Sequence, residues 1–322
     1  MTIWLGIDVS KATLDCAESG GGETWQVPNT LAGWQALTVR YADAPPTGVV
    51  MEATGALHVG LHLHLAAAGW ASSVVNPRWT AAYAGSRGQV AKTDRADARL
   101  LARYGAKETP AATPVSSPQQ RRVMALMRRR SQVAKLRVMN LNQTGSAPND
   151  EIQRCCDMVT TVLEAQIADL EATIAEILAH DPSLQAIDTQ LQSMPGVGPV
   201  TSTWLICALP ELGELDRRKL ASLAGVAPHP KQSGTRTRAG WIRGGRAPVT
   251  KALFLAARVA VRHDPYFRAY FARYMARPGK AYKMGIIAVA NKMLTLLSVM
   301  VRDGLLWTDT HAYRQSLPAH IT

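Results

Sequence analysis

Four carboxylates, Asp8, Glu52, Asp94 and Asp97, are spread over the N-terminal third of the chain, and one isolated serine, Ser233, stands far downstream in a strongly basic stretch. Carboxylate oxygens suit magnesium, which demands near-octahedral oxygen coordination. Two such ions about 3.5–4 Å apart can stabilise both the attacking and the leaving oxygen of a phosphoryl displacement. Brought together, four carboxylates repel one another unless cations lie between them. The chemistry open to these residue types is metal-assisted work on phosphodiesters. Each acid also has a plainer reading, as a solvated residue at a strand end or as part of a charged helix face.

The elements that would position these acids follow from pattern. Asp8 closes the apolar run Ile3-Trp4-Leu5-Gly6-Ile7, which predicts a buried strand with a carboxylate at its end, and Thr13 to Ala17 predicts a second strand after a tight turn. Gly48-Val49-Val50-Met51-Glu52 repeats the arrangement. Asp94 and Asp97 fall on one face of a predicted helix that Thr93 can cap. Residues 1 to about 110 alternate strand-like and helical runs, which predicts an α/β layer around a central sheet.

Gly6-Ile7-Asp8-Val9-Ser10-Lys11, Met51-Glu52-Ala53-Thr54-Gly55, Val75-Asn76-Pro77 and Lys92-Thr93-Asp94-Arg95-Ala96-Asp97-Ala98-Arg99 follow one another in the order seen in one transposase family. On these motifs the chain resembles the DEDD transposases of the insertion-sequence one-ten family, the bridge-RNA-guided serine recombinases, from Gly6 to around Leu306. The resemblance implies a RuvC-like, ribonuclease-H-type N-terminal domain. It also implies that Asp8, Glu52, Asp94 and Asp97 are the ligands of a two-ion magnesium site.

Leu223-Ala224-Gly225-Val226-Ala227-Pro228-His229-Pro230-Lys231-Gln232-Ser233-Gly234-Thr235 resembles the motif of that family's second domain, which ends in its catalytic serine. The match implies Ser233 as nucleophile, and no other serine lies between Ser222 and Ser298. A serine hydroxyl attacks poorly at neutral pH without a base, a metal or local positive charge. Arg236, Arg238, Arg243 and Arg246 could hold phosphate oxygens through bidentate contacts. Without the resemblance, the same letters read as an ordinary Gly/Arg loop. Lys251 stands where the family pattern has arginine. The resemblance further implies that acids and serine from different protomers form a composite site, in a homodimer that assembles to a tetramer on DNA.

A net charge of +12 and a pI near 9.8 favour a polyanionic partner, because Lys and Arg neutralise phosphates and release condensed counterions. From Lys231 to Lys283 the only acid is Asp264. Cys16, Cys155, Cys156 and Cys207 form neither a disulfide framework nor a C-x-x-C zinc pattern, which fits a reducing cytoplasm, bacterial by the resemblance. The N-terminus lacks the form of a signal peptide, and the later apolar segments are broken by His58, His62 and His64 or by Asn291 and Lys292, so no membrane span is expected. His58 and His62 lack the H-E-x-x-H arrangement, and no P-loop is present.

Glu108-Thr109-Pro110-Ala111-Ala112-Thr113-Pro114 cannot continue a helix through both prolines and marks a boundary. The expected domains are 1–112, the RuvC-like DEDD domain; 113–185, a helical coiled-coil segment; and 186–322, a mainly α transposase domain carrying Ser233. In the middle segment Cys156, Val159, Leu163, Ile167, Leu170, Ile174 and Ile177 recur as the seam of a helical hairpin or coiled coil. Its partner is either the preceding helix or a second copy. Arg128, Arg129 and Arg130 read as a solvated face or as contacts to RNA backbone. Gly196 and Gly198 in Met194-Pro195-Gly196-Val197-Gly198-Pro199 read as a plain interhelical turn or as a hairpin whose amides approach a phosphate.

Three functions fit. The favoured one is an RNA-guided DNA recombinase, acting on target and donor DNA with a structured guide RNA and passing through a covalent phosphoserine at a magnesium-dependent site. A RuvC-like structure-specific nuclease needs the acids but not Ser233. A non-enzymatic nucleic-acid-binding protein needs only the basic surface. If the family analogy holds, base pairing with RNA chooses the target and the polypeptide reads shape and backbone.

Overall fold

The computed structural model describes residues 2–53, 55–87, 94–233, 236–241 and 244–310, with backbone alone for 229–233 and 236–241. The chain divides into two compact units, Met1–Val115 and Ser116–Thr322.

The first unit runs β1 (Trp4–Val9), β2 (Thr13–Glu18), β3 (Trp25–Pro28), α1 (Leu31–Arg40), β4 (Gly48–Glu52), α2 (Val59–Ala67), β5 (Ser72–Val75), α3 (Pro77–Ser86) and α4 (Asp94–Glu108). Its five strands lie in the order β3-β2-β1-β4-β5, antiparallel from β3 to β1 and parallel from β1 to β5. Strand alternation divides the core in two. Leu5, Ile7, Val49 and Met51 face a cluster that includes Leu37 of α1 and Leu61 and Leu65 of α2. Trp4 and Val50 face the other way, against Leu101 of α4. Gly6 shares that second face. A Cβ there would lie 2.2 Å from both the Ala98 carbonyl oxygen and the Ala102 nitrogen, so only glycine lets α4 settle backbone-to-backbone on β1.

The second unit opens with two long helices, α5 (Pro118–Thr144) and α6 (Asp150–Ala179). The Ser117/Gln120 capping box starts α5, and the Asn149 side chain caps α6. They form an antiparallel hairpin. Arg130 pairs with Glu171, Arg137 with Glu164, and Asn140 Nδ2 donates to the Cys156 carbonyl and to Thr160 Oγ1. The expected seam faces the preceding helix, with Cys156 and Ile174 buried, Leu163, Ile167, Leu170 and Ile177 half-buried, and Val159 exposed.

Then follow α7 (Pro182–Ser193), α8 (Pro199–Ala208), α9 (Arg217–Leu223), β6 (His229–Ser233), β7 (Arg236–Trp241), α10 (Ala247–His263), α11 (Pro265–Met275), α12 (Tyr282–Asp303) and a short 3-10 turn, Trp307–Thr310. Helix α12 is long and apolar enough to cross a membrane, with mean hydropathy 1.8, yet it is the spine of this unit's core. Ile286, Val289, Ala290, Met293, Leu296, Leu297 and Met300 on it are fully buried, in a core shared with Leu253 and Ala257 of α10 and Phe267 of α11.

Candidate metal centre and serine strand

Alternation along β1 puts Asp8 on the face of Trp4 and Gly6, the face covered by α4. In the parallel β1–β4 pair Ile7 stands beside Met51, so Asp8 and Glu52 are the next residues at two adjacent carboxyl ends. Asp94 and Asp97 occupy the first turn of α4, which the Gly6 contact holds on β1. The sheet and one helix therefore converge all four acids on one end of the layer. Thr93, the expected cap, lies outside the described residues.

Their shared field is visible in Asp8. Its pKa is raised from 3.8 to about 6, first by burial and then by the charges of Asp97, Asp94, Glu52 and Asp15. Asp15 is a site residue that the motif reading missed. It stands directly opposite Asp8 in the β1–β2 ladder, is 5% exposed, and accepts a hydrogen bond from Gln26 Nε2 at 3.1 Å. The signal was present in the sequence, since folding the two predicted strands back about the Ser10–Thr13 turn pairs these two aspartates. Thr80, buried on α3, was also unforeseen; its hydroxyl donates to Glu52 Oε1.

Among the described residues no three His, Cys, Asp or Glu side chains close into a ready-made metal cage. The carboxylates share one field without being gathered into one coordination sphere, as expected of mutually repelling charges with Glu52 held by Thr80. The donor set fits a hard divalent cation all the same. It is all oxygen and electrostatically strained, and it sits at strand and helix ends where side chains can swing inward.

Ser233 ends β6, and its backbone pairs with Arg236 across the β6–β7 ladder. Sequence pattern suggested a loop there, whereas the backbone forms a two-stranded hairpin. Gly234 and Arg243, and the side chains of Ser233, Arg236 and Arg238, lie outside the described residues. The root of this hairpin is firmly held. The Ala224 carbonyl accepts from Thr250 Oγ1 at 2.7 Å, the Val226 carbonyl accepts from Asn291 Nδ2 at 3.2 Å, and Gly225 abuts Gly245 with no room for a Cβ.

Comparison with known proteins bears on the whole chain. Residues 5–147 match a transposase model of the DEDD type, and residues 188–272 match the model described as "Transposase IS116/IS110/IS902 family". A pilin gene-inverting protein of Moraxella bovis is 30% identical over 324 residues, covering 93% of this chain and 96% of its own length. An uncharacterized protein of insertion element IS110 from Streptomyces coelicolor is 32% identical over 163 residues, 50% of this chain and 38% of its own. The chain belongs to the IS110 family of transposases.

Within this transposase three of the residues expected to contact nucleic acid have internal partners or packing. Arg246 is engaged internally: Nη1 and Nη2 grip the two Glu211 carboxylate oxygens at 2.5 and 2.7 Å, and Nη1 also donates to the Ala208 carbonyl. Arg130 is tied to Glu171 by two hydrogen bonds of 2.6 and 2.8 Å. Gly196, at φ +89°, uses its missing Cβ inside the protein, where a Cβ would lie 2.4 Å from the Ala256 carbonyl oxygen of α10. Gly198 opens α8 with clear space around its Cα, and Arg128, Arg129 and Lys251 are exposed.

Proposed function

We propose that this IS110-family transposase is an RNA-guided DNA recombinase that cuts and rejoins strands through a phosphoserine at Ser233. The observation that carries the reading is the convergence of Asp8, Glu52, Asp94 and Asp97 on one end of the β3-β2-β1-β4-β5 sheet. That strand order, with β2 antiparallel and β4 and β5 parallel to β1, is the basis for reading the unit as RuvC-like.

Magnesium, held by these four acids, would neutralise charge developing on the phosphoryl oxygens and favour the serine alkoxide. The chain's residues do the rest. Ser233 Oγ bonds to phosphorus as the strand's own P–O bond breaks. The net transfer exchanges one alcohol for another: the serine proton ends on the displaced sugar oxygen and the phosphodiester energy is kept in the Ser233–phosphate ester. A second strand's hydroxyl then reverses the exchange, with no external energy source. Exchange between inverted sites on one DNA gives inversion, the outcome in the name of the Moraxella relatives; exchange between two DNAs gives insertion.

Guidance by RNA is supported by the excess of positive charge. Homodimerisation through the helical hairpin is part of the same reading, since Val138, Met139, Met158 and Val162 expose apolar surface on it. The reading places the work in the bacterial cytoplasm.

The deciding experiment incubates the full chain with its RNA, labelled DNA and magnesium, and looks for a denaturant-resistant adduct. The adduct is expected with wild type and absent from Ser233→Ala. Cleavage by Ser233→Ala at the wild-type rate would overturn the serine mechanism in favour of attack by water at the acid cluster.

A further inference from the structure

Lys292, in the middle of α12, is 3% exposed, and among the described residues it makes no ion pair. Its Nζ lies 5.9 Å from the centre of the Tyr270 ring, and Tyr270 is itself 8% exposed. The charges that act on this ammonium are Arg217 of α9 and Arg273 of α11, and Arg277, just beyond α11, joins them around Tyr270. These three arginines are exposed, and the Arg277 guanidinium lies 5.7 Å from the centre of the Tyr274 ring, while Lys292 is buried. The neighbouring acids are committed elsewhere. Asp216 Oδ1 accepts from the Arg218 and Lys219 amides and its Oδ2 pairs with Lys219 Nζ at 3.7 Å, while Asp264 Oδ1 caps α11 at the Phe267 amide.

Cations from α9, α11 and α12 and from the turn after α11, one of them removed from water, constitute an arrangement that folding alone disfavours. Burial and the two arginines pull the Lys292 pKa from 10.5 to about 8. A bound anion reverses both penalties. Guanidinium groups donate paired N–H bonds to phosphate oxygens, and an ammonium supplies a point charge. Asn291, the residue before Lys292, holds the Val226 carbonyl in the segment that enters β6. An anion bound at Lys292 is therefore bound to the scaffold from which the Ser233 strand extends.

We infer that Lys292, Arg217, Arg273 and Arg277 form a receptor for a backbone phosphate of a nucleic-acid strand, which holds that strand on the serine-bearing unit. The choice of a nucleic-acid phosphate over a free one rests on the proposed recombinase function. The site gives no base-edge contact and therefore no sequence preference of its own.

The test uses the full-length chain, Lys292→Met, and the double variant Arg217→Gln/Arg273→Gln. Tripolyphosphate is the first probe, read by thermal melting. It raises the wild-type Tm, and both variants lose at least half of that rise, while Lys292→Met alone melts above wild type without anion because the buried charge is gone. The second probe is fluorescence anisotropy against salt with a labelled DNA duplex, single-stranded DNA and an RNA hairpin. Each lost phosphate contact lowers the salt slope by about 0.9 on duplex or about 0.7 on single strands. The probe whose slope changes identifies the strand held here. Equal tripolyphosphate shifts in wild type and double variant, or no shift in wild type, would overturn the receptor. If Lys292→Met fails to fold, the double variant, altered only at exposed arginines, decides. Loss of the tripolyphosphate shift in a chain that binds none of the three nucleic acids leaves the anion receptor standing and removes its assignment to a nucleic-acid strand, and with it the recombinase reading.

Discussion

The acidic end of the first sheet and the basic cluster around Lys292 are mirror images in charge. Each gathers like charges at the junction of several elements, and each strains one member in the direction of neutrality, Asp8 upward to about 6 and Lys292 downward to about 8. Elsewhere charges close on themselves, as Arg246 does on Glu211 and Arg130 on Glu171. Opposite charges in contact satisfy one another, whereas like charges gathered together raise a repulsion that an outside ion of opposite sign would relieve. On the proposed function that ion is a cation at the acids and an anion at the lysine cluster. Metal-assisted phosphodiester chemistry brings both.

The strongest way to break this comparison is to remove the acid. A metal-borne interaction is worth several kcal/mol in the transition state, and each 1.36 kcal/mol is tenfold in rate. Asp8→Ala should therefore lower strand transfer by about 10³-fold in a single-turnover assay with labelled DNA. Unchanged turnover would remove the metal centre from the mechanism. Asp8→Asn should in addition melt above wild type in chelator at pH 7 and lose the Tm rise that magnesium gives the wild type.

Titration sharpens the comparison, because the two groups act with opposite signs. Asp8 holds its proton more tightly folded than unfolded, so its contribution to stability is full below pH 3.8 and is lost as pH rises to about 6. Lys292 holds its proton less tightly folded, so stability gains as pH rises from about 8 to 10.5. Melting curves of wild type against Asp8→Asn should differ in slope only in the acid window, and those against Lys292→Met only in the alkaline one. The differences should amount to a few degrees. A compensated pair should respond least. Glu171→Gln, which breaks a partly exposed ion pair on the hairpin, should cost less than about 1 kcal/mol in denaturant unfolding.

Local pattern placed the four acids at strand ends and in a helix's first turn, where the structure has them, but their role as metal ligands came from the family resemblance and not from pattern. Asp15 belongs to no motif, and only pairing the two predicted strands about their turn brings it to Asp8. Arg246 looked like a phosphate ligand because its partner, Glu211, lies 35 residues earlier on the chain. Gly196 carried a letter pattern shared by phosphate loops and tight helix junctions, and only the approach of α10 distinguishes them. The hairpin seam was legible from its spacing, which also left open whether its partner was the same chain; the Arg137–Glu164 and Asn140–Thr160 contacts supply the preceding helix. The β6–β7 hairpin escaped notice because its residues are polar and Gly-flanked, without the alternation that marks a strand.

The Asn291–Val226 hydrogen bond links the entry to the serine strand with α12, whose apolar side lies in the core of its unit. A chain whose interior has loosened releases that anchor before anything else about the hairpin need change. On the proposed function, strand transfer should therefore fail together with the packing of α12 rather than survive it.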